Sequence, residues 1–380
     1  MKNFDLILRN AHVIDPEQEI NEVMDIAFSK GKIAALENGI VGSKDILTKN
    51  LRGLIVTPGL IDMHTHVYWG GTSIGVDADL YSNSSAISTL VDTGSVGPGN
   101  FSGFKKHVIE KSRARILIYL HVSHAGIFAF SNRIMVGESE EMRLMDPETA
   151  IEIANANKDI IVGIKVRIGK WTSGLNGISP LEVALKVGEA CQLPVMVHID
   201  EPPPTYSEVV KHLRAGDILT HCFRGFPNSP ISKTGEVISE VLMARSRGVY
   251  FDVGHGSMSF SFDTARAMLA QGFYPDTISS DIHCLCIDGP VFDQVTTLSK
   301  FYCLGMPLVE VVRSSTQNAA RMLGRASLGN LKVDSEGDVS ILRIEEGSFD
   351  YKDGTESSIV GDKKIFAEGM VINGKWIEKT

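Results

Sequence analysis

The 380-residue sequence is short of several things at once, and each shortage removes a class of function. No stretch reaches the roughly 18 uninterrupted apolar residues that a membrane-spanning helix needs, so no membrane association is expected. Basic residues are outnumbered, with 37 Lys and Arg against 46 Asp and Glu, for a formal net charge of -9. Nothing supplies the basic stripe that phosphate neutralisation demands, which argues against nucleic acid as a partner. The five cysteines, Cys191, Cys222, Cys284, Cys286 and Cys303, are odd in number and contain no C-x-x-C pair. Neither a disulfide framework nor a structural zinc ribbon is indicated, and the thiols read as reduced. The amino-terminal stretch "MKNFDLILRNAHVIDPEQ" lacks the apolar core and small-residue cleavage site of a secretion signal, so a cytoplasmic location is expected.

Composition is that of an ordinary globular chain, and the length suits one large domain or two to three small ones. From about residue 54 to 281, short apolar runs alternate with helix-like stretches. Eight runs read as strands: "GLIVTPGLIDMHTH", "AISTLVDTG", "ARILIYLHVS", "DIIVGIKVR", "LPVMVHID", "GDILTHCF", "GVYFDVGHG" and "DTISSDIH". Between them lie "SGFKKHVIEKS", "DPETAIEIANAN", "SPLEVALKVGEAC", "TYSEVVKHLRAG" and "KTGEVISEVLMARSRG", opened by helix start signals or closed by Gly or polar turns. The alternation predicts an α/β fold, a (β/α)8 TIM barrel, over residues 54–329. Residues 1–53 and 330–380 read instead as short alternating strands with Gly and Asn turns, which predicts a small β-sandwich domain formed by both termini.

The stretch "PGLIDMHTH", residues 58–66, ends an apolar run with two histidines one residue apart. If Leu54 to His66 is one strand, alternation points His64 and His66 the same way. In such a barrel the active site lies at the carboxyl ends of the strands. Those ends collect His64 and His66 on strand one, Lys165 on strand four, His198 on strand five, His221 on strand six and Asp281 on strand eight. A lone histidine at a strand end is more often a hydrogen-bonded structural residue. Six ligand-type residues falling together on the correct ends point to a metal site. Neutral imidazoles and carboxylates suit zinc, and an open coordination position lets the ion hold water as hydroxide near neutral pH. Lys165, inside the apolar run "GIKVRIGK", is costly to bury unless paired or modified.

This pattern resembles the amidohydrolase superfamily, whose members carry His-x-His, Lys, His, His and Asp on strands one, four, five, six and eight. The lead-in "VTPGLIDMHTH" matches as well, and the resemblance covers essentially the whole chain. A closer resemblance, carried by "GIKVRIG", "VMVHIDEPP", "LTHCFRG" and "DVGHG", is to amidohydrolase or deacetylase metallohydrolases, a group often labelled dihydroorotase by analogy. It implies two divalent metal ions, zinc foremost. It implies that Lys165 is carbamylated by CO2 and bridges them, with His64, His66 and Asp281 on one ion and His198 and His221 on the other. Asp281 would be catalytic, carrying a proton from the attacking hydroxide to the leaving group.

Substrate recognition is less explicit. Arg167 shares a face of strand four with Lys165, and Arg224 follows His221; either could grip a carboxylate bidentately. His255, in "GHGS", and Tyr68, in "HTHVYWGGTS", are candidate wall residues. The expected function is a metal-dependent hydrolase cleaving the acyl amide or ester of a small carboxylate-bearing substrate, an N-acyl amino acid or O-acyl hydroxy acid. A cyclic amidohydrolase of dihydroorotase type is the alternative, opposed by the absence of an Arg soon after His66. A non-catalytic scaffold is a third reading, opposed by the intact ligand set. A small-molecule substrate is expected, and a homo-oligomer is left open.

Overall fold

A computed structural model describes residues 4–379; residues 1–3 and 380, at the edges of the expected terminal domain, lie outside them. The chain begins in a mixed sheet with β1 (Leu6–Asp15), β2 (Ile20–Ser29), β3 (Lys32–Glu37), β4 (Leu47–Asn50) and β5 (Ile55–Pro58). It then builds a parallel sheet from β6 (Leu60–Thr65), β7 (Ile87–Thr93), β8 (Arg115–His121), β9 (Ile161–Ile168), β10 (Val195–Ile199), β11 (Ile218–Thr220) and β12 (Tyr250–Asp252). It returns to the first sheet with β13 (Val339–Lys352), β14 (Ser358–Ile372) and β15 (Lys375–Ile377). The return is direct, because β13 pairs antiparallel with β5, Val339 opposite Pro58 and Leu342 opposite Ile55. The chain leaves and re-enters the terminal sheet on neighbouring strands, which is why its two ends share one sheet.

The parallel strands are buried along almost their whole length, as expected where helices cover the outer face. One apolar cluster packs strands against helices, and a second, with Ile61, Met63, Val91, Leu117, Tyr119, Met196 and Ile218, fills the barrel interior against Ala319, Ala320 and Leu323. The helices follow their sequence signals. Ser179–Cys191 spans the segment read from sequence, and Thr205 with Glu208 forms a reciprocal capping box before Tyr206–His212. The helix expected from Lys233 begins only at Ser239, because a bridge between Ile231 and Val237 folds the preceding residues into a turn.

The eighth barrel position closes without a regular ladder. Residues 277–282 bridge Asp252 on one side and Thr65 on the other, and the Asp281 amide donates to the His64 carbonyl at 2.8 Å. Side chains take the remaining donors: the Ser280 amide goes to Asp62 at 3.0 Å and the Ile282 amide to the Ser280 hydroxyl at 3.0 Å. Serines that offer the backbone such alternatives weaken strand pairing locally. No helix among the described residues is long and apolar enough to cross a membrane.

The run read as one strand from Leu54 to His66 is two, and residues 55–58 pair in the terminal sheet instead of the barrel. Gly59 makes the change of sheet possible. A Cβ there would sit 2.2 Å from the Ser88 hydroxyl and 2.9 Å from the Asp338 Cβ, closer than packed atoms approach. Gly59→Val should therefore lower unfolding stability by about 1–3 kcal/mol through overpacking, read as a lower denaturant midpoint. An unchanged midpoint would contradict this account of the crossover.

Candidate metal centre

His64 belongs to β6 and His66 follows its end, and their Nε2 atoms each lie 3.2 Å from Asp281 Oδ1. One ligand atom from each of the three falls within 4.8 Å of the others, and all three residues are buried. On the other side of the mouth, His198 Nδ1 on β10 faces His221 Nε2 at 2.7 Å. Lys165 on β9 is fully buried, and among the described residues neither its Nζ nor His198 Nε2 has a hydrogen-bond partner. His64, His66, Lys165, His198 and Asp281 line one cavity of about 270 Å³, which His221 supports through His198. The six strand-end positions picked from sequence thus come together.

The surroundings fix which ring nitrogen is free. Thr220 donates its hydroxyl hydrogen to Asp252 at 2.8 Å, and Asp252 also accepts from Thr277 at 2.6 Å and Ser279 at 2.8 Å. The Thr220 oxygen, 2.8 Å from His64 Nδ1, is then an acceptor, so His64 carries its proton on Nδ1 and presents an Nε2 lone pair to Asp281. His221 donates from Nδ1 to the Gly254 carbonyl at 2.7 Å, so its Nε2 accepts from His198 Nδ1 and the lone pair left open is that of His198 Nε2. His66 Nδ1 meets the Ser95 hydroxyl at 2.9 Å.

Burial, reinforced by neighbouring positive groups, pushes the His64, His198 and His221 rings well below the usual imidazole value, and burial brings His66 to about 3. Burial also raises Asp281 to about 6 and lowers Lys165 to about 7. His221 and Asp281 hold left-handed backbone conformations, with φ of 67° and 51°, which non-glycine residues keep only when their surroundings impose it. The Nε2 lone pairs of His64 and His198, the Asp281 carboxylate and a buried amine without a partner among the described residues form a donor set that protein hydrogens leave largely unsatisfied. Such a set fits divalent cations.

The candidate substrate residues separate. Arg167 faces the cavity, but its Nε and Nη2 are held by Glu138 at 2.7 and 2.6 Å, and its guanidinium lies over Phe130. That carboxylate is kept well below its ordinary range by Arg167, and it also meets His121 Nε2 at 3.0 Å. Arg224 also lines the cavity; it donates from Nη1 to the Ile199 carbonyl at 3.2 Å, and its buried Nε has no partner among the described residues. Tyr68 packs on Phe104, with centroids 4.6 Å apart, and lies outside the cavity lining. His255 is bonded to Lys300 and also lies outside it. Sequence reasoning missed Glu138, which holds Arg167, and the cavity-lining Trp171, Phe226, Met258 and Thr355; all come from turns and loops without periodicity.

No family model matches the chain. It is 34% identical over 344 residues to a deacetylase of Agrobacterium fabrum, covering 90% of this chain and 84% of the relative. It is 33% identical over 330 residues to a deacetylase of Brucella anthropi, covering 87% and 81%. Among solved structures, an adenine deaminase superposes with a TM-score of 0.91 at 27% identity, covering 99% of this chain and 100% of that one. A dihydroorotase superposes with a TM-score of 0.90 at 30% identity, covering 98% of each.

Two outcomes follow from this geometry. Thr220→Val removes the acceptor that fixes the His64 tautomer, so metal affinity measured by chelator competition should fall about 10- to 100-fold; unchanged affinity would contradict the relay. In the metal-free protein, His64, His66, His121, His198, His221, His255 and His283 are all held below the ordinary value, mainly by burial. The unfolded chain therefore takes up protons near pH 6.5 that the folded chain refuses. Buried carboxylates oppose this, Asp62 raised to about 7, Asp281 to about 6, and Asp92, Asp200, Asp252 and Asp293 raised as well, but those histidines, whose unfolded value lies inside the window, outweigh them. The denaturant midpoint of the metal-free protein should fall between about pH 7 and pH 5, and a flat or rising profile would count against it.

Proposed function

The chain belongs to the amidohydrolase superfamily and is a hydrolase, and from that premise we propose that it removes an acyl group from a small carboxylate-bearing substrate. The observation that carries the reading is the pairing, in one cavity, of a buried ligand cluster with Arg224, whose Nε has no partner among the described residues. The curated relatives' names, both deacetylases, agree with acyl transfer to water.

His64, His66 and Asp281 would hold one divalent ion, and His198 and His221 a second. Zinc suits so nitrogen-rich a set. Bound there, the ions supply Lewis acidity that polarises the acyl carbonyl and makes water acidic enough to attack at neutral pH. Lys165, as a carbamate, would add carboxylate oxygens to this donor set. An amine lowered by burial to about 7 has a substantial unprotonated fraction at neutral pH, whose lone pair can add to CO2 with loss of one proton. Asp281 takes the proton of the attacking water and delivers it to the departing amine or alkoxide, a task suited to a carboxyl raised to about 6. Arg224 orients the substrate carboxylate, while Arg167, already committed to Glu138, holds the loop after β8 against the cavity. A cyclic amidohydrolase of dihydroorotase type is the second reading, resting on the dihydroorotase neighbour.

N-acyl amino acids, O-acyl hydroxy acids and dihydroorotate offered to the metal-loaded protein decide between these. Acyl carboxylates should turn over, and preference for dihydroorotate would reverse the ranking. Arg224→Met should raise KM for carboxylate substrates by about 10- to 100-fold, the worth of a hydrogen bond to a charged group, while sparing neutral acyl esters. Asp281→Asn should lower kcat on unactivated substrates by ~10²- to 10⁴-fold, and less on esters whose leaving groups need no proton. Near-normal turnover by that variant with its metals bound would remove Asp281 from the mechanism.

A further inference from the structure

The long hairpin of β13 and β14 belongs to the terminal sheet, yet Gly354 and Thr355 at its tip line the same cavity as His64 and Asp281. The tip is tightly held. Asp353 accepts from the amides of Thr355 at 2.7 Å and Ser357 at 2.9 Å, and from the barrel side it accepts the Phe262 amide at 2.9 Å. The Gly354 amide donates to the Phe260 carbonyl at 2.9 Å. Gly354 approaches Met258 so closely that a Cβ would come within 2.8 Å of the Met258 backbone. Ser257, Met258 and Gly354 also line a neighbouring groove of about 940 Å³ along the hairpin, so they partition it from the catalytic cavity.

Lys300, on the helix Gln294–Cys303, stands where the pieces of this partition meet. Its side chain is fully buried, and its ammonium donates to the Lys352 carbonyl at 2.7 Å, the Pro290 carbonyl at 2.9 Å and His255 Nε2 at 2.8 Å. Three donors meet three acceptors, one from the hairpin, one from the segment after the barrel closure and one from the loop after β12. His255 is oriented to accept because its Nδ1 donates to the Gly256 carbonyl at 2.8 Å. An apolar side chain of similar length would fill this space without the penalty of burying a charge, so packing alone does not call for a lysine.

We propose that Lys300 is a positioning residue whose ammonium seats the hairpin tip against the loop after β12, and that the wall so formed sets how large a substrate the cavity accepts. The size limit rests on the cavity being the acyl-carboxylate site; the seating of the tip does not.

The test compares metal-loaded wild type, Lys300→Met and Gly354→Ala by amide hydrogen exchange over residues 352–358 and by kinetics on acyl carboxylates of increasing length. In Lys300→Met the Gly354 amide should exchange about tenfold faster, and KM for the shortest substrate should rise about tenfold, as expected for a lost charged hydrogen bond. The longest substrates should be affected least, with kcat and bound metal retained. Gly354→Ala, which displaces the tip with Lys300 intact, should give the same pattern and decides the matter if Lys300→Met fails to fold. Unchanged exchange and an unchanged KM profile in a folded variant would overturn the proposal. Loss of metal with a uniform effect across the series would also overturn it, making Lys300 a support of the ligand cluster. If the wild type hydrolyses no member of the series, the proposed function fails, while the exchange data still judge the seating.

Discussion

A histidine removed from water stays neutral and must hand its single ring N–H to an acceptor, and this constraint sets the arrangement of the barrel mouth. His64 hands its proton to Thr220, which hands its own to Asp252; His221 hands its proton to the Gly254 carbonyl. These hydrogen bonds leave lone pairs on His64 Nε2 and, through the His198–His221 contact, on His198 Nε2, and Asp281 and Lys165 complete a set of groups that the protein's own hydrogens do not fill. The ligand cluster is thus a consequence of burial as much as of residue identity.

Holding that cluster shapes the fold around it. A regular eighth strand would leave Asp281 in extended backbone; the left-handed turn at that residue brings its carboxylate to both His64 and His66. The ladder lost there is replaced by side chains, with Asp62 accepting from Tyr81 at 2.8 Å and from the Ser280 hydroxyl at 2.5 Å. Burial raises Asp62 to about 7, a penalty those donors partly relieve. The terminal sheet takes part as well, since β13 leaves its pairing with β5 and runs on to place Gly354 and Thr355 at the cavity. The cavity is therefore shared between the two sheets.

The ligand positions are legible in sequence because each lies at or near the end of an apolar run, and barrel geometry gathers such ends. The helices Pro147–Ala156 and Ser179–Cys191 are legible for a similar reason, their caps and periodicity being local. What sequence conceals depends on contacts between distant segments. Gly59 reads as part of one continuous strand until Ser88 and Asp338 close on it, and Arg167 looks like a free carboxylate grip until Glu138, from a loop with no pattern, claims it. Lys300 reads as an ordinary helix lysine, since its three acceptors come from residues 10, 45 and 52 positions away.

The central claim is that the buried cluster is a metal centre on which hydrolysis depends. Elemental analysis of the purified protein, paired with activity before and after rigorous chelation and after reloading, tests it most directly. The account predicts about two divalent ions per chain, loss of activity on their removal and recovery on their return. Full hydrolytic activity from protein shown to be metal-free would contradict it.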